Sequence, residues 1–328
     1  MKRVFLYVIL LLLVAVNACR DDESYKQNEP VPGEPKQIQL TLTSRVGTVV
    51  GDHLTQYVKA MNLFLFRENE NGNYVLFRTK VLNKEELESL AEQPESSAPG
   101  FTLPRVVTFD TVPLSNYKIV GVGNVLDSVG NAQNNVSLEG VTIGNDMSQV
   151  LAVVNDGVQA SRLFWGVTDV IQLGAIGNTL AELSLYRKVS MFALTLEKIP
   201  DVVDKIDTEI ENTYGEFDMG GNFVSGSGIW VFATNEYQQQ VQDSITLTYV
   251  TLPTVDGDSS TFLTTFYLIN GPKQPVTLPK YVLKPNTITK VTATIDTDQP
   301  GSAWKVDISS LISVDVEWNV DQEPPITI

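Results

Sequence analysis

Residues 245–249 read Ile245-Thr246-Leu247-Thr248-Tyr249, and this stretch decides the fold because apolar and polar side chains alternate along it. The same alternation recurs in residues 38–43, 291–296 and 312–320. A period of two residues places the apolar side chains on one face of a β-strand and the polar ones on the other. Threonine and serine supply most of the polar partners and suit a pleated surface. The sequence therefore predicts a mainly β fold built from half-buried strands.

Local patterns around these strands predict two strand pairs. Residues 61–66 and 74–77 are apolar segments that flank the polar, glycine-containing segment 67–73, as expected for a β-hairpin. Residues 106–110 and 117–122 form a second predicted pair.

Helical signals are confined to two short segments. Asn83 precedes Lys84-Glu85-Glu86 and can act as an N-cap, because its side chain can accept a hydrogen bond from the first helical turn. In residues 201–210, Val202, Val203, Ile206 and Ile210 fall on one helical stripe, with charged residues outside it. We therefore expect a short helix at each place.

The length of 328 residues suggests two domains, since a domain usually has about 100 to 200 residues. The boundary is expected near Ile199-Pro200, where a strand-like stretch gives way to an acidic segment. Residues 36–199 and 200–328 would then form an N-terminal and a C-terminal β-sandwich, because both lengths suit that architecture.

The first eighteen residues have the pattern of a secretory signal peptide. Lys2 and Arg3 precede thirteen uninterrupted apolar residues, 4–16. A membrane-spanning helix needs about 20 apolar residues, so this segment is too short to remain as a span. We expect residues 1–18 to direct export and then to be removed.

The single cysteine, Cys19, follows this segment directly. Residues 16–19, Val-Asn-Ala-Cys, resemble the lipobox of bacterial lipoproteins, which implies that Cys19 carries acyl chains such as palmitate and anchors the protein in the outer membrane. Residues 20–23 resemble the acidic export signal of surface-exposed lipoproteins of the Bacteroidetes-type envelope, with an ordinary solvated charge run as the alternative. Residues 19–35 are rich in proline and poor in apolar side chains, which predicts a flexible tether.

Composition excludes several classes of partner and site. With 39 acidic against 23 basic side chains, the formal net charge of -16 disfavours nucleic acid and anionic lipid headgroups. One cysteine and one histidine, His53, rule out an internal disulfide, a Cys-rich zinc site, an iron-sulfur cluster and a His-rich metal site. The sequence predicts no cofactor and no metal site.

Catalytic signals are weak. A Ser-His-Asp hydrolase would have to use His53, and no Gly-x-Ser-x-Gly motif is present. The four glycines of residues 218–228 lack the lysine of a phosphate loop and are interpreted as turn residues. Counting leaves open a carboxylate pair of the kind that glycosidases use, but the spacing nominates none. Carboxylates of residues 201–218 or 256–258 could hold Ca²⁺, although the EF-hand ligand order is missing.

The four tryptophans have two interpretations. Trp165, Trp230, Trp304 and Trp318 could form platforms on which sugars stack, or they could pack in the core. Trp165 and Trp318 lie in apolar or alternating segments, which favours the core for these two.

Several segments, taken in order, resemble the fimbrillin family of Bacteroidia-type (type V) pilus lipoproteins. They are the lipobox, the first strand at 38–44, residues 58–66 with the following Asn-Gly turn, residues 113–124, 162–166, 185–189 and 314–318. Each motif is weak alone, but their order spans nearly the whole chain beyond the signal peptide. Residues 81–87 and the Tyr117 motif are more similar to the anchor and minor-subunit branch of that family.

The resemblance implies two transthyretin-like, Greek-key β-sandwich domains and assembly by donor-strand exchange with other fimbrial subunits. Shaft pilins of this family are cut by an Arg-specific protease behind their first strand, which makes Arg45 a candidate cleavage site. The favoured alternative is an ordinary arginine at the end of a strand. The carboxyl-terminal segment is the best candidate for a donated strand, through the residues Ile312, Val314, Val316, Trp318 and Val320.

The leading hypothesis is a non-enzymatic fimbrial anchor or accessory subunit, lipid-anchored through Cys19, exposed at the cell surface and supporting cell adhesion. The alternative is a surface glycan-binding lipoprotein of a polysaccharide-uptake system, and a lipid-anchored hydrolase is third. Host or bacterial surface ligands are left open, and nucleic acid is not expected as a partner.

Overall fold

The computed structural model describes residues 36–44, 57–91, 106–126, 131, 135–174, 179–236, 244–296 and 304–315. The signal peptide, the tether, Cys19, Arg45 and His53 lie outside the described residues. The described part is mainly β, which confirms the predicted fold class. The strands are β1 Ile38–Ser44, β2 Met61–Glu68, β3 Tyr74–Leu82, β4 Val106–Phe109, β5 Ser115–Gly123, β6 Val136–Glu139, β7 Leu151–Val154, β8 Phe164–Val167, β9 Ile171–Leu173, β10 Thr179–Arg187, β11 Ser190–Glu197, β12 Val203–Tyr214, β13 Glu216–Asp218, β14 Gly228–Glu236, β15 Ser244–Thr251, β16 Ser260–Leu268, β17 Gln274–Tyr281, β18 Thr287–Asp296 and β19 Lys305–Asp315. The helix α1 is Lys84–Ala91, and a 3-10 turn spans Met147–Gln149.

The amino-terminal half is organised around one large sheet in the order β3-β2-β5-β8-β10-β1-β4, with β9 paired to β5. Strand β2 is buried on both faces, as its continuous apolar sequence requires. On one face Leu63 and Leu65 pack in a core with α1, and on the other Phe64 and Phe66 pack in a second core. The small sheet β13-β7-β6 contributes to this second core.

The carboxyl-terminal half contains two four-stranded sheets, β15-β11-β18-β19 and β14-β12-β16-β17. Alternate side chains of both sheets meet in one core, which makes a β-sandwich. Phe192 of β11 lies at its centre, with its ring centroid 4.2 Å from that of Phe262. The transthyretin-like Greek-key arrangement stays a prediction.

Strands near residue 199 pair across the predicted domain boundary. β11 ends at Glu197, yet it pairs with β15 and β18, which follow the boundary in sequence. β13 follows the boundary but pairs with β7. The division at 199/200 stays a prediction, and the two halves share the second core.

The predicted helix at 201–210 is wrong, because residues 203–214 form the strand β12. Ile206, Thr208 and Ile210 are all buried and lie on the same face of the strand. Because Thr208 is polar, the sequence pattern did not reveal that every second residue faces the core. A β-bulge between Val203 and Lys205 shifts the register and gives Val203 and Ile206 a spacing of three. That spacing imitates a helical stripe.

The other local predictions have mixed outcomes. β2 and β3 form the predicted hairpin. Asn83 caps α1, since its Oδ1 accepts from the Glu86 N–H at 2.9 Å and the Glu86 carboxylate accepts from the Asn83 N–H at 2.9 Å. β4 and β5 exist, but their predicted pairing is wrong. β4 pairs with β1, whereas β5 pairs with β2, β8 and β9.

Candidate functional site

Strand β1 occupies an inner position of the large sheet. It pairs with β10 in parallel and with β4 in antiparallel orientation. Its side chains Ile38, Leu40 and Leu42 are at most 3% exposed, and burying three aliphatic side chains contributes roughly 4 to 9 kcal/mol before ordering costs. Removing β1 would leave an apolar slot between β10 and β4 with unpaired backbone on both sides. Arg45 follows β1 directly in sequence and lies outside the described residues.

Strand β19 occupies an outer position in the carboxyl-terminal sandwich, where it pairs with β18. Within β19, Ile312 is opposite Lys290 and Val314 is opposite Ile288. Two of the five predicted strand-exchange residues are thus already paired in their own sheet. The other three, Val316, Trp318 and Val320, lie outside the described residues.

Lys188, which follows β10, packs between Trp165 of β8 and the turn after β13. Lys188 Nζ donates to the Gly221 carbonyl oxygen at 2.7 Å and lies 4.4 Å from the Trp165 ring centroid and 5.1 Å from that of Phe223. Trp165 Nε1 donates to the Met219 carbonyl oxygen at 3.2 Å. These contacts join the residues on either side of the predicted domain boundary.

The electrostatics of Lys188 follow from this position. Burial lowers the pKa of its ammonium group from 10.5 to about 8, and the nearby carboxylate of Asp218 acts in the opposite direction. Sequence reasoning missed this cluster because its members come from three separate segments. The adjacent basic pair Arg187-Lys188 at the end of a strand was the one available signal.

The Tyr117 motif that entered the resemblance has a structural role. Tyr117 is fully buried, and its hydroxyl donates to the Pro113 carbonyl oxygen at 2.6 Å. Burial raises the pKa of this phenol, while Arg67 and Arg78 act to lower it. This hydrogen bond therefore holds the backbone that leads into β5 against the start of that strand.

The tryptophans divide between packed and exposed positions. Trp165 is partly buried in the cluster around Lys188, and Trp304 packs against Phe266 with ring centroids 5.4 Å apart. Trp230 on β14 is 37% exposed and lies 5.6 Å from the Phe232 ring centroid. Trp318 lies outside the described residues. Trp230 is therefore the tryptophan with the largest described surface for a ligand.

One polar cleft of about 510 Å³ opens at the ends of β2, β5 and β9. Carboxylate, amide and hydroxyl side chains line most of it, namely Glu68, Asn69, Glu70, Ser115, Asn116 and Gln172, and Leu173 and Gly174 complete the lining. Asn116 Nδ2 donates to Glu68 Oε2 at 2.6 Å, so part of this polar surface is already satisfied internally.

The residues considered for Ca²⁺ and for a phosphate loop form turns. Gly257, between Asp256 and Asp258, has φ of 81°, and the Asp256 N–H donates to the Tyr214 hydroxyl at 3.1 Å. Gly221 and Gly226 also have positive φ, as turn glycines do. In the described ranges no three His, Cys, Asp or Glu residues are grouped to hold a metal ion. The same ranges contain no helix long and apolar enough to cross a bilayer.

Solved structures with a similar fold include a fimbrial anchor protein, a candidate polysaccharide-binding protein and a candidate adhesin. The fimbrial anchor protein Mfa2 from Porphyromonas gingivalis has a TM-score of 0.58 at 12% identity, covering 85% of this chain and 97% of that chain. A candidate polysaccharide-binding protein from Bacteroides thetaiotaomicron has a TM-score of 0.55 at 9% identity, covering 88% and 100%. A candidate adhesin from Bacteroides ovatus has a TM-score of 0.53 at 12% identity, covering 85% and 95%. At these identities the likeness establishes the fold alone.

Sequence comparison gives the family. A search of curated proteins finds no match. Residues 31–323 match the family described as fimbrillin-A associated anchor proteins Mfa1 and Mfa2. This match contains the motifs from the first strand at 38–44 to residues 314–318, whereas the lipobox at 16–19 lies outside it. The chain therefore belongs to the family of fimbrillin-A associated anchor proteins.

Proposed function

We propose that this chain is a non-enzymatic fimbrial anchor or accessory subunit, which acylated Cys19 holds in the outer membrane and which joins a neighbouring pilin by β-strand addition. The observation that carries the proposal is the family match over residues 31–323. Membership in a fimbrial anchor family supports a fimbrial or adhesive role at the cell surface. The lipid attachment and the mode of joining are the proposed steps.

The position of β1 supports a place at one end of the fibre. Because β1 fills the slot between β10 and β4, a subunit that keeps this strand cannot accept a donated strand there. A shaft subunit must open such a slot for the next subunit. A subunit that keeps β1, and with it the amino-terminal link to the membrane, takes no part in strand exchange at this slot.

The carboxyl end supports donation to a neighbour. Thirteen residues, 316–328, follow β19, and about 3.3 Å per residue lets them extend about 40 Å. Burying about four apolar side chains in a neighbour would contribute roughly 6 to 12 kcal/mol before ordering costs. Main-chain hydrogen bonds would add affinity, and the alternating side chains would fix the register.

Replacing the proposed anchor residue tests the function directly. Cys19→Ala should release the protein into the medium and shed fimbriae, because without the acylated cysteine the protein has no attachment to the membrane. Cell fractionation and electron microscopy of the fimbriae measure both effects. Ser24→Ala in the tether is the matched control and should change neither. Retention of protein and fimbriae on Cys19→Ala cells would overturn the proposal.

Glycan binding is a second candidate because Trp230, which is exposed, packs beside the half-buried Phe232 on the outer face of β14. Sugar rings stack on such surfaces. Calorimetry with a glycan panel tests it, comparing the parent chain with Trp230→Ala and with the packed-side control Trp304→Phe. If a glycan binds the parent chain and Trp304→Phe but not Trp230→Ala, the result would support a glycan-binding lipoprotein. If no glycan gives a heat signal with the parent chain, this candidate function is rejected.

A further inference from the structure

The two outer strands of the large sheet, β3 and β4, approach each other through side chains. Arg78 Nη1 donates to the Asp110 carbonyl oxygen at 2.6 Å, and Lys80 Nζ donates to the Thr108 carbonyl oxygen at 3.5 Å. In the described part of the chain, β3 and β4 are the two ends of the sheet and no backbone pairing joins them. Residues 78–82 and the facing residues 106–110 are here called the β3–β4 seam.

The seam presents backbone groups that lack a strand partner. Paired strands lie about 4.8 Å apart, whereas contact through the long side chains of arginine and lysine indicates a wider separation. In an antiparallel strand the N–H and C=O of one residue point to the same side. Since the Thr108 carbonyl oxygen faces Lys80, the Thr108 N–H faces the seam as well. Such an edge is a template for another strand.

The open part of the β3 edge has a defined length. At Leu76 the edge is covered, because the Leu76 N–H donates to the Asn145 carbonyl oxygen at 2.7 Å and the Gly144 N–H donates to the Leu76 carbonyl oxygen at 2.8 Å. Residues 78–82 lie beyond this cover. Five residues correspond to about 17 Å, which is the length of an ordinary strand.

The seam carries two cations, Arg78 and Lys80, against one carboxylate, Asp110, in a chain of net charge -16. The guanidinium carbons of Arg67 and Arg78 lie 5.3 and 5.4 Å from the Phe77 ring centroid, and Lys80 follows two residues later on the same strand face. Among the described ion pairs, none involves these three cations. Their charges are therefore available to carboxylates from outside the subunit.

We propose that the β3–β4 seam accepts an extended strand from a neighbouring fimbrial subunit, with carboxylates at every second position. Arg78 and Lys80 are two residues apart and face the same side, opposite Leu65 and Leu63, so carboxylates with that spacing can pair with both. The donated backbone replaces the two side-chain bridges with ladder hydrogen bonds. Apolar residues on its other face meet Val81, which is 45% exposed. The inference rests on the proposed joining of subunits by strand addition.

A peptide with this pattern is the probe. Residues 313–323 of this chain read Ser-Val-Asp-Val-Glu-Trp-Asn-Val-Asp-Gln-Glu, in which acidic and apolar residues alternate. The fluorescein-labelled peptide should bind saturably to the soluble chain from residue 20 onward in fluorescence anisotropy. Its analogue with amides in place of all carboxylates should bind about tenfold more weakly or worse, because it lacks the charge-assisted contacts.

Variants of the chain locate the site. Arg78→Gln/Lys80→Gln should weaken peptide binding about tenfold or more, while Lys273→Gln/Lys280→Gln, which removes equal charge beside β17, should leave it unchanged. Thr108→Pro should also weaken binding, since it removes an N–H that faces the seam and spares the ladder to β1. Thermal melts of each variant establish that it is folded. Hydrogen exchange should slow in β3 and β4 when the peptide is bound.

Several outcomes would overturn the seam as an acceptor. These are no saturable binding of the parent peptide, equal binding by the Arg78→Gln/Lys80→Gln variant, or slowed exchange in β18 instead of β3 and β4. The last outcome would mean that the peptide exchanges with β19. None of these results bears on Cys19→Ala, so release of fimbriae from those cells would leave the proposed function standing while the seam is rejected.

Discussion

The first and last described strands, β1 and β19, are held in opposite ways. β1 has a strand on each side and buries Ile38, Leu40 and Leu42, whereas β19 has β18 as its one neighbour in the sheet order. A strand with two partners is part of the subunit's own core. A strand with one partner leaves an edge and continues into a segment that can reach another molecule. The comparison teaches that β1 fills its place in the sheet from within the subunit, whereas the segment that follows β19 can pair with a neighbouring subunit.

Truncation of the carboxyl end should have the largest effect on assembly. Ending the chain after Asp315 keeps β19 and should abolish joining to the neighbouring pilin, because Val316, Trp318 and Val320 are lost with the rest of the segment that follows β19. Ending it after Ser310 removes half of β19 as well and should also destabilise the sandwich. Electron microscopy and co-purification with fimbriae measure assembly. Normal assembly by the Asp315 truncation would show that the contact lies elsewhere.

Matched leucine substitutions compare the two strands directly. Leu40→Ala in β1 should lower the free energy of unfolding by about 2 to 5 kcal/mol, because the side chain is fully buried and leaves a cavity. Leu311→Ala in β19 should change it by about 0.5 kcal/mol or less, because this side chain is 54% exposed. Urea unfolding measures both. Equal losses would contradict the contrast between a core strand and an edge strand.

The pH dependence of stability tests the contacts of Lys188, which follows β10, the parallel partner of β1. The pKa of Lys188 is about 8 in the folded chain and 10.5 in its unfolded reference, so the unfolded state binds more protons between these values. Stability should therefore rise with pH in this window, by about 2 to 3 kcal/mol from this residue. Lys188→Met should remove that part of the rise in urea unfolding at pH 8 and pH 10. An unchanged slope would show that Lys188 is not charged and buried at neutral pH.

Arg45 should give the smallest effect. If the subunit keeps β1 and its lipid, Arg45→Gln should change neither the mass of the isolated protein nor its attachment to cells. Mass spectrometry of the amino-terminal peptide measures this. A parent chain that begins at residue 46, with cleavage lost in Arg45→Gln, would place the protein with the processed shaft subunits and would reverse the comparison of β1 with β19.

Local patterns predicted the strands better than their pairing. Alternation identified β1, β15 and β18, and the apolar segments around residues 67–73 identified the β2–β3 hairpin. β12 was missed because a bulge and the buried Thr208 disguised its period of two. The partner of β4 was wrong because pairing between distant strands depends on the packing of the whole sheet, which adjacent residues do not encode.

The candidate site could be predicted in part. The alternation of residues 38–43 indicated a half-buried strand, and its position between β10 and β4 required the structure. The seam was missed because Arg78 and Lys80 look like ordinary polar positions of a hairpin until β4 is placed opposite them. The Lys188 cluster was missed for the same reason. The predictions for Cys19 and Arg45 lie outside the described residues and stay predictions.

The parallel pairing of β1 with β10 also sets an order of events during folding. Ile38 pairs with Thr179, so about 140 residues must be synthesised after β1 before its partner exists. Contacts this far apart in sequence form slowly, because the entropy of closing a long loop must be overcome first. Strand β1, which is the first described strand to be synthesised, is thus among the last to dock. We expect each new subunit to spend an interval as an incomplete sheet, and a chaperone that shields the unfilled position would shorten its exposure to aggregation.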